Sequence, residues 1–377
     1  MTAEKTSPML SKFIIDGIPQ ELTPLQLLDG VLDDSADNEC AAAGSCEIID
    51  ETVDPVCSHY KYDAANVDGY LSGVLNVKKD FPIRFADFGS RARIAGALID
   101  TLWKNGHFRI GDISLKAAWK WNENGLGNMS AFYSSVQAVA DYLDGLGLRL
   151  DGYTYSGTRS KCDLTFKAEI TDSREGDYES MLELPYRVAK ARMSNTRACP
   201  STLVPEEQSW VVYIPFESTD FRLGGSSLAQ YLNLDGGVAP KIMDADYFID
   251  CYEVVRELVE DGIIIAARTI GEGGLLSAVQ KMSSDGVGMT VDVSDVMKAF
   301  NENEIVRVLF SEVPGVVIQI HDIDFDYLDA ELLLQDVAFF PLGHPTPDRE
   351  SVRVKASAKT GIQTILESLM QNAEGED

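Results

Sequence analysis

ARTIGEGGLLSAVQKM, residues 267–282, is the stretch on which the reading of this chain turns. A short β-type run, Ile263 to Ile265, precedes it, and the pair Gly273–Gly274 then opens an apolar helix. Strand, glycine turn and helix in that order are the parts of an α/β layer. They are also the parts of a phosphate grip, because the first turn of a helix presents unpartnered N–H groups and the positive end of its dipole. The approach to this turn is chemically sparse, however. Arg268, Thr269 and Ile270 occupy it, and its only acid is Glu272. The stretch is either a working nucleotide site or the shell of one.

Around it, residues 201–350 alternate strand and helix patterns. SWVVYIPF (209–216), GMTVDVS (288–294), GVVIQIHDI (315–323) and VAFFPLG (337–343) read as strands; SSLAQYLNL (226–234), YFIDCYEVVRELVEDG (247–262) and YLDAELLLQDV (327–337) read as helices. This alternation predicts a layered α/β domain with helices on a mostly continuous sheet. Residues 59–200 form a second α/β pattern, with strand candidates YLSGVLNV (70–77) and PIRFADF (82–88). Its helices are RIAGALIDTLWKNG (93–106) and SAFYSSVQAVADYLDGLG (130–147), each with apolar residues three and four apart. The polar break TDSREGDYESM (171–181) reads as a linker. Residues 1–58 read as an arm: an apolar FIIDGI (13–18), a helix capped at Thr23 with Pro24 at its first position, and an acidic stretch, 33–51, expected to be a mobile loop. Residues 351–377 carry a tail helix, TGIQTILESLMQ (360–371).

The chain has 377 residues and 45% hydrophobic content, enough for two ordinary domains with a real core. Sixty acidic against 32 basic residues give a formal charge of −28, which repels nucleic-acid backbones and anionic membranes at long range. No nucleic acid and no membrane are expected as partners. The polar start MTAEKTSPML and the lack of any apolar run near the roughly 20 residues a bilayer needs predict an intracellular, cytoplasmic protein. Six scattered cysteines predict reduced thiols, and the spacing of Cys40, Cys46, Cys57 and His59 lacks the paired knuckles of a zinc site.

Four further stretches join GEGGLLSAVQKM in pointing to one family: NVDGYLSG (66–73), WKWNENGLGNMSAFYSSVQAVADYLDGLGLRLDG (119–152), FRLGGSSLAQ (221–230) and LFSEVPGVVIQI (309–320). Together they resemble the second synthetase half of the large phosphoribosylformylglycinamidine synthase, the formylglycinamide ribonucleotide amidotransferase of purine biosynthesis. The resemblance implies a two-domain aminoimidazole ribonucleotide synthetase-like fold, α/β in class. In it an N-terminal dimerisation domain pairs with its counterpart through a shared β-barrel, and a C-terminal layered α/β domain packs alongside.

The departures from that family carry as much as the matches. This chain contains neither the first synthetase half, with its catalytic histidine, nor the glutaminase domain. The family's metal-binding glutamate and the asparagine four residues later fall on Gly96 and Asp100, and its glycine-lysine-aspartate-serine turn falls on Tyr153, Thr154, Tyr155 and Ser156. Its His-Asp-x-Ser-Asp-Gly-Gly becomes Arg268 to Gly274, which puts Thr269 in place of a metal-binding aspartate and Gly271 in place of a nucleotide-contacting serine. Asp87 matches in type. A magnesium ion held by few carboxylates takes the rest of its shell from phosphates and water, so these losses together should cripple ATP–magnesium binding. What the resemblance leaves is a remnant nucleotide site at Asp87, Ser156, Gly273 and Gly274 and a remnant metal site at Asp87 and Asp100, which Glu272 could help rebuild.

YRVAKARMSNTR (186–197) places Arg187, Lys190, Arg192 and Arg197 on a strand-like segment, either a charged edge protected from aggregation or a contact for an anion or protein partner. Asp322, Asp324, Asp326 and Asp329 beside His321 suggest a calcium loop but lack its glycine and final glutamate, and read as an acid-rich helix start. No catalytic residue is assigned. The leading expectation is a catalytically degenerate, stand-alone homologue that acts by binding, scaffolding or regulation, without a cofactor, as a homodimer paired through the strand at 70–77. The alternatives are a divergent ATP- and magnesium-dependent synthetase, or subunit of a split one, and a decoy, viral or host-directed, that binds a protein partner.

Overall fold

The computed structural model describes residues 7–39, 80–106, 108–170, 199–232, 237–283, 286–347 and 352–355. The strand expected at 70–77, the linker at 171–181, the cationic segment 186–197 and the tail helix at 360–371 lie outside them, as does most of the acidic stretch. A hairpin of β1 (Ile14–Ile15) and β2 (Ile18–Pro19) turns on Asp16 and Gly17, both at positive φ, 52° and 79°. Helix α1 (Pro24–Leu28) starts at the expected cap: Thr23 accepts from the Gln26 N–H while the Gln26 side chain accepts from the Thr23 N–H.

The N-terminal layer is a four-stranded sheet ordered β3 (Leu32–Glu39), β5 (Leu150–Thr158), β4 (Ile113–Asn122) and β6 (Asp163–Ile170). Two long helices, α2 (Ala86–Lys104) and α3 (Asn128–Gly145), pack on each other and on this sheet. From Leu115 onward strand β4 alternates, with Leu115, Ala117, Trp119 and Trp121 buried and Lys116 and Lys120 exposed. Three expectations need correction here. PIRFADF is no strand: a 3-10 turn at Ile83–Phe85 runs straight into α2, because the apolar pattern continues at helical spacing through Phe88. Residues 33–39, placed in a loop by their acidity, belong to strand β3, paired parallel to β5. Tyr153–Ser156, matched to the family's glycine-lysine-aspartate-serine turn, lies in mid-strand, since Tyr153 and Tyr155 alternate inward against Trp119 and Phe132, with ring centroids 6.4 and 5.0 Å apart.

The C-terminal part centres on an antiparallel sheet ordered β11 (Phe340–Gly343), β7 (Ser209–Pro215), β10 (Gly315–His321) and β8 (Ile264–Ile270). Strand β10 is buried along nearly its whole length because it faces a core on either side. Val212, Ile214, Val316, Ile318 and Ile320 join the core that continues under α2, α3 and α5 (Ala245–Glu260). Val211, Tyr213 and Val317 join a second core with α6 (Gly274–Met282), α7 (Ser294–Ala299) and α8 (Ile305–Phe310). Here too there is a correction: the sheet is not continuous. Strand β9 (Val287–Asp292) pairs with β12 (Pro345–Pro347) and β13 (Val352–Lys355) in a separate three-stranded sheet. The acid-rich start of α9 (Phe325–Leu334) is a helix start, as expected.

Helix α5 joins the two parts. Its Tyr252 hydroxyl lies 3.0 Å from that of Thr101 on α2, and its Phe248 packs on Tyr142 of α3. Before its first turn, Glu217 accepts from the Met243 and Asp244 N–H groups at 3.0 and 3.3 Å. Burial pushes the Glu217 carboxyl above its ordinary range, and these hydrogen bonds only partly oppose that. The folded state therefore holds the proton to higher pH than the unfolded chain does, so this group's effect is to lower stability as pH rises from the unfolded value through the raised folded one. Glu217→Gln keeps an acceptor without the charge. Denaturant titrations across a pH series should show the variant gaining on wild type as pH rises through that window, with the difference flat above it.

Candidate functional site

The turn between β8 and α6 needs both its glycines for steric reasons. Gly273 caps α6 at φ 87°, and Gly274 follows at φ 69°. A Cβ on Gly274 would sit 2.7 Å from the carbonyl oxygens of Leu309 and Ser311, at the end of α8. The N–H that a phosphate would be expected to use is already engaged: Gly273 donates to Glu312 Oε1 at 2.9 Å. The same oxygen accepts from the Ser227 N–H at 2.8 Å and the Ser227 hydroxyl at 2.6 Å, where α4 (Ser227–Tyr231) begins. Three of the motif stretches thus meet on one buried carboxylate, which stands in the role of the anion.

Beside this turn α2 and β8 enclose a cleft of about 340 Å³. Gly89, Ala92, Arg93, Gly96 and Asp100 line it from α2, at the three- and four-residue spacing of one helix face. Thr269 to Glu272 line it from the other side, with Glu312 and Pro314. Asp100, matched to a metal ligand, is held by side chains of this chain. The Thr269 hydroxyl donates to its Oδ1 at 2.6 Å and the Lys104 ammonium to its Oδ2 at 2.5 Å, while the Trp103 indole donates to the Thr269 oxygen at 2.9 Å. Arg93 has a looser setting. Its guanidinium lies 4.8 Å from the Phe81 ring and 3.6 Å from Asp163, and its Nη1 is buried with no hydrogen-bond partner among the described residues. Burial lowers its pKa, with Asp163, Glu272 and Glu312 pulling the other way.

Of the residues singled out from sequence, Asp100, Thr269, Gly271 and Glu272 come together on the cleft, and Gly273 and Gly274 form its adjoining turn. Ser156 and Asp87 do not join them: Ser156 is exposed on β5, and Asp87 is exposed in the first turn of α2. Asp87 and Asp100 are separated by about 20 Å along that helix at 1.5 Å per residue, so no single ion is held by both. With Asp100 satisfied on both oxygens, the donors present do not fit a magnesium ion. Among the described residues no group of three or more His, Cys, Asp or Glu side chains is placed to hold a metal, and no helix is long and apolar enough to cross a membrane. Arg187, Lys190, Arg192 and Arg197 lie outside the described residues. Sequence reasoning missed Glu312 and Arg93. The signal for Glu312 was an acid inside the apolar run LFSEVPGVV, a position that demands internal donors.

This arrangement defines an AIR synthase-like fold, and residues 217–322 match the family described as AIR synthase related protein, C-terminal domain. The fold is related to that of phosphoribosylformylglycinamidine synthase, as the motifs implied. The chain is 24% identical over 274 residues to the probable phosphoribosylformylglycinamidine synthase, chloroplastic/mitochondrial, of Arabidopsis thaliana, covering 72% of this chain and 18% of that protein. Thermotoga maritima PurL complexed with FGAR superposes with a TM-score of 0.55 at 12% identity, over 74% of this chain and 42% of that one. The PurLQS structure from the same organism gives a TM-score of 0.50 at 13% identity, over 74% and 40%. The chain thus spans less than a fifth of the curated relative's length.

Two glycines should respond oppositely to alanine. A Cβ on Gly96 meets nothing within 4 Å, so Gly96→Ala should stabilise the chain by about 0.5–1 kcal/mol through helix propensity. Gly274→Ala should destabilise it by at least roughly 1–3 kcal/mol, from a left-handed backbone and a carbonyl clash. Denaturant midpoints of the two variants check both signs.

Proposed function

We propose that this chain is a binding protein on an AIR synthase-like scaffold, with no ATP-dependent amidine-forming chemistry of its own. The observation that carries this reading is Glu312, whose carboxylate accepts the Gly273 N–H of the glycine turn, a donor that a nucleotide phosphate would otherwise meet, together with the N–H and hydroxyl of Ser227 at the start of α4. The ties from Thr269 and Lys104 to Asp100 add to it, because a hydroxyl and an ammonium stand in place of a metal ion as that carboxylate's partners. Binding in this reading is exerted as a homodimer or toward a protein partner, with the segment 70–77 and the cations of 186–197 as the contacts to test.

Purified protein given ATP, magnesium, formylglycinamide ribonucleotide and ammonia should release neither inorganic phosphate nor formylglycinamidine ribonucleotide. Turnover that survives further purification and is lost in Asp100→Ala would overturn this reading. One alternative is a subunit that completes an active site with another chain. Activity appearing only when a separate catalytic half is added would establish it.

A further inference from the structure

Helix α9, with the 3-10 turn Asp322–Asp324 that leads into it, carries apolar side chains on both faces. Leu328 and Leu332 are fully buried in the core, yet Ile323, Leu333 and Leu334 are 88%, 74% and 76% exposed, and Tyr327 is exposed beside them. Positions 323, 327, 330 and 334 follow the four- and three-residue steps of one helix face, so Ile323, Tyr327, Ala330 and Leu334 form a continuous outer ridge with Leu333 alongside. Acids flank this ridge. Asp322, Asp326 and Asp329, all exposed, run along one side at the same spacing. Glu331 and, from the end of α5, Glu257 and Asp261 lie within electrostatic reach of the Tyr327 hydroxyl, which donates to Asp261 at 2.8 Å. We propose that this ridge docks a partner protein through a cationic amphipathic helix, whose apolar stripe lies on Ile323, Tyr327, Ala330 and Leu334 and whose Lys or Arg side chains meet the flanking acids.

A contiguous apolar patch with a polar rim on a folded surface marks a protein contact, and here charge decides what fits. Neither helix has a cation to spare. Helix α9 contains no Lys or Arg, and the sole one of α5, Arg256, is buried and bound to Glu253, Glu257 and Glu260 at 2.6, 2.6 and 2.7 Å. Among the described residues the acid stripe makes one ion pair, Asp322 with His344 at 4.0 Å. A second copy of this chain, paired through the same face, would set acids against acids on both flanks. An anionic membrane meets the same repulsion. A helix with a leucine-type stripe bordered by Lys or Arg complements both the ridge and its flanks. The face is formed by α9 and the end of α5, so it does not depend on what the glycine turn binds.

Fluorescence anisotropy of the full chain with a labelled leucine–lysine peptide of about 18 residues, patterned as a helix with one leucine face, tests this. The controls are a scrambled peptide of the same composition and a leucine–glutamate version. The leucine–lysine peptide should bind saturably and at least about tenfold tighter than the scrambled one, and the glutamate version should not bind. Ile323→Gln with Leu334→Gln leaves the net charge unchanged and should weaken binding about tenfold or more. Asp326→Asn with Asp329→Asn should weaken it as much and reduce its salt dependence. All four positions are exposed, so both double variants should melt close to wild type. Binding that is absent, that the scrambled or glutamate peptide matches, or that either double variant leaves unchanged would overturn the proposal. So would a wild-type dimer that Ile323→Gln with Leu334→Gln dissociates in light scattering, which makes a second copy the occupant. Peptide binding that appears only once Arg187 and Arg192 are both changed to Ala would overturn it too, by making the chain's own segment 186–197 the occupant. None of these readouts involves ATP, so each leaves the absence of amidine-forming chemistry to its own test.

Discussion

One carboxylate oxygen, Glu312 Oε1, holds together the part of this molecule that its glycine turn and helix start would lead one to call a nucleotide site. A glutamate only 7% exposed costs several kcal/mol to desolvate unless donors are aimed at it, and here three are: the Gly273 N–H, the Ser227 N–H and the Ser227 hydroxyl. These donors belong to the start of α6 and the start of α4, two segments far apart in sequence, and Glu312 itself follows α8. The pair Gly273–Gly274 is needed because the end of α8 passes so close behind it. A glycine turn that usually suggests a bound phosphate is here explained by an internal anion and by backbone contact.

Helix α2 transmits this constraint to the rest of the fold. Leu98, Ile99 and Leu102 lie in the shared core, while the face from Gly89 to Asp100 lines the cleft. At the far end Asp100, Thr269, Trp103 and Lys104 form a closed set of hydrogen bonds across to β8. Thr101, on the same turn, reaches Tyr252 of α5. The cleft is therefore walled by elements fixed on both sides, and Gly96 puts no side chain into it.

The legible parts of the sequence were those where one physical signal dominated. GVVIQIHDI and SWVVYIPF read correctly as strands because they are buried on both faces and so nearly continuous in apolar character. The Thr23 cap and the α3 and α5 faces were equally plain. PIRFADF misled because Ile83 and Phe85 alternate like a strand over a few residues, and only the longer run through Phe88 and Ile94 shows the helical period. Leu32–Glu39 was masked by its acids, since the parallel pairing that makes it a strand comes from β5, more than a hundred residues away. Family matching aligned Tyr153–Ser156 to a turn, while the local alternation of two tyrosines already favoured a strand. In the site itself, the positions of Gly96, Asp100 and Thr269 were found from sequence. That Thr269 donates to Asp100 was not, because residue identity at two distant positions carries no information on which side chain turns toward which.

The account stands or falls on Glu312 serving as the internal anion of the turn. Thermal denaturation of wild type and Glu312→Ala should be followed across rising inorganic phosphate, with chloride at matched ionic strength as the control. Wild type should be indifferent to phosphate beyond the chloride effect. The variant, with three donors left unpaired, should melt lower and should recover stability specifically with phosphate. Specific stabilisation of wild type by phosphate, or a variant that melts like wild type and ignores the ion, would contradict the claim that this turn grips its own glutamate.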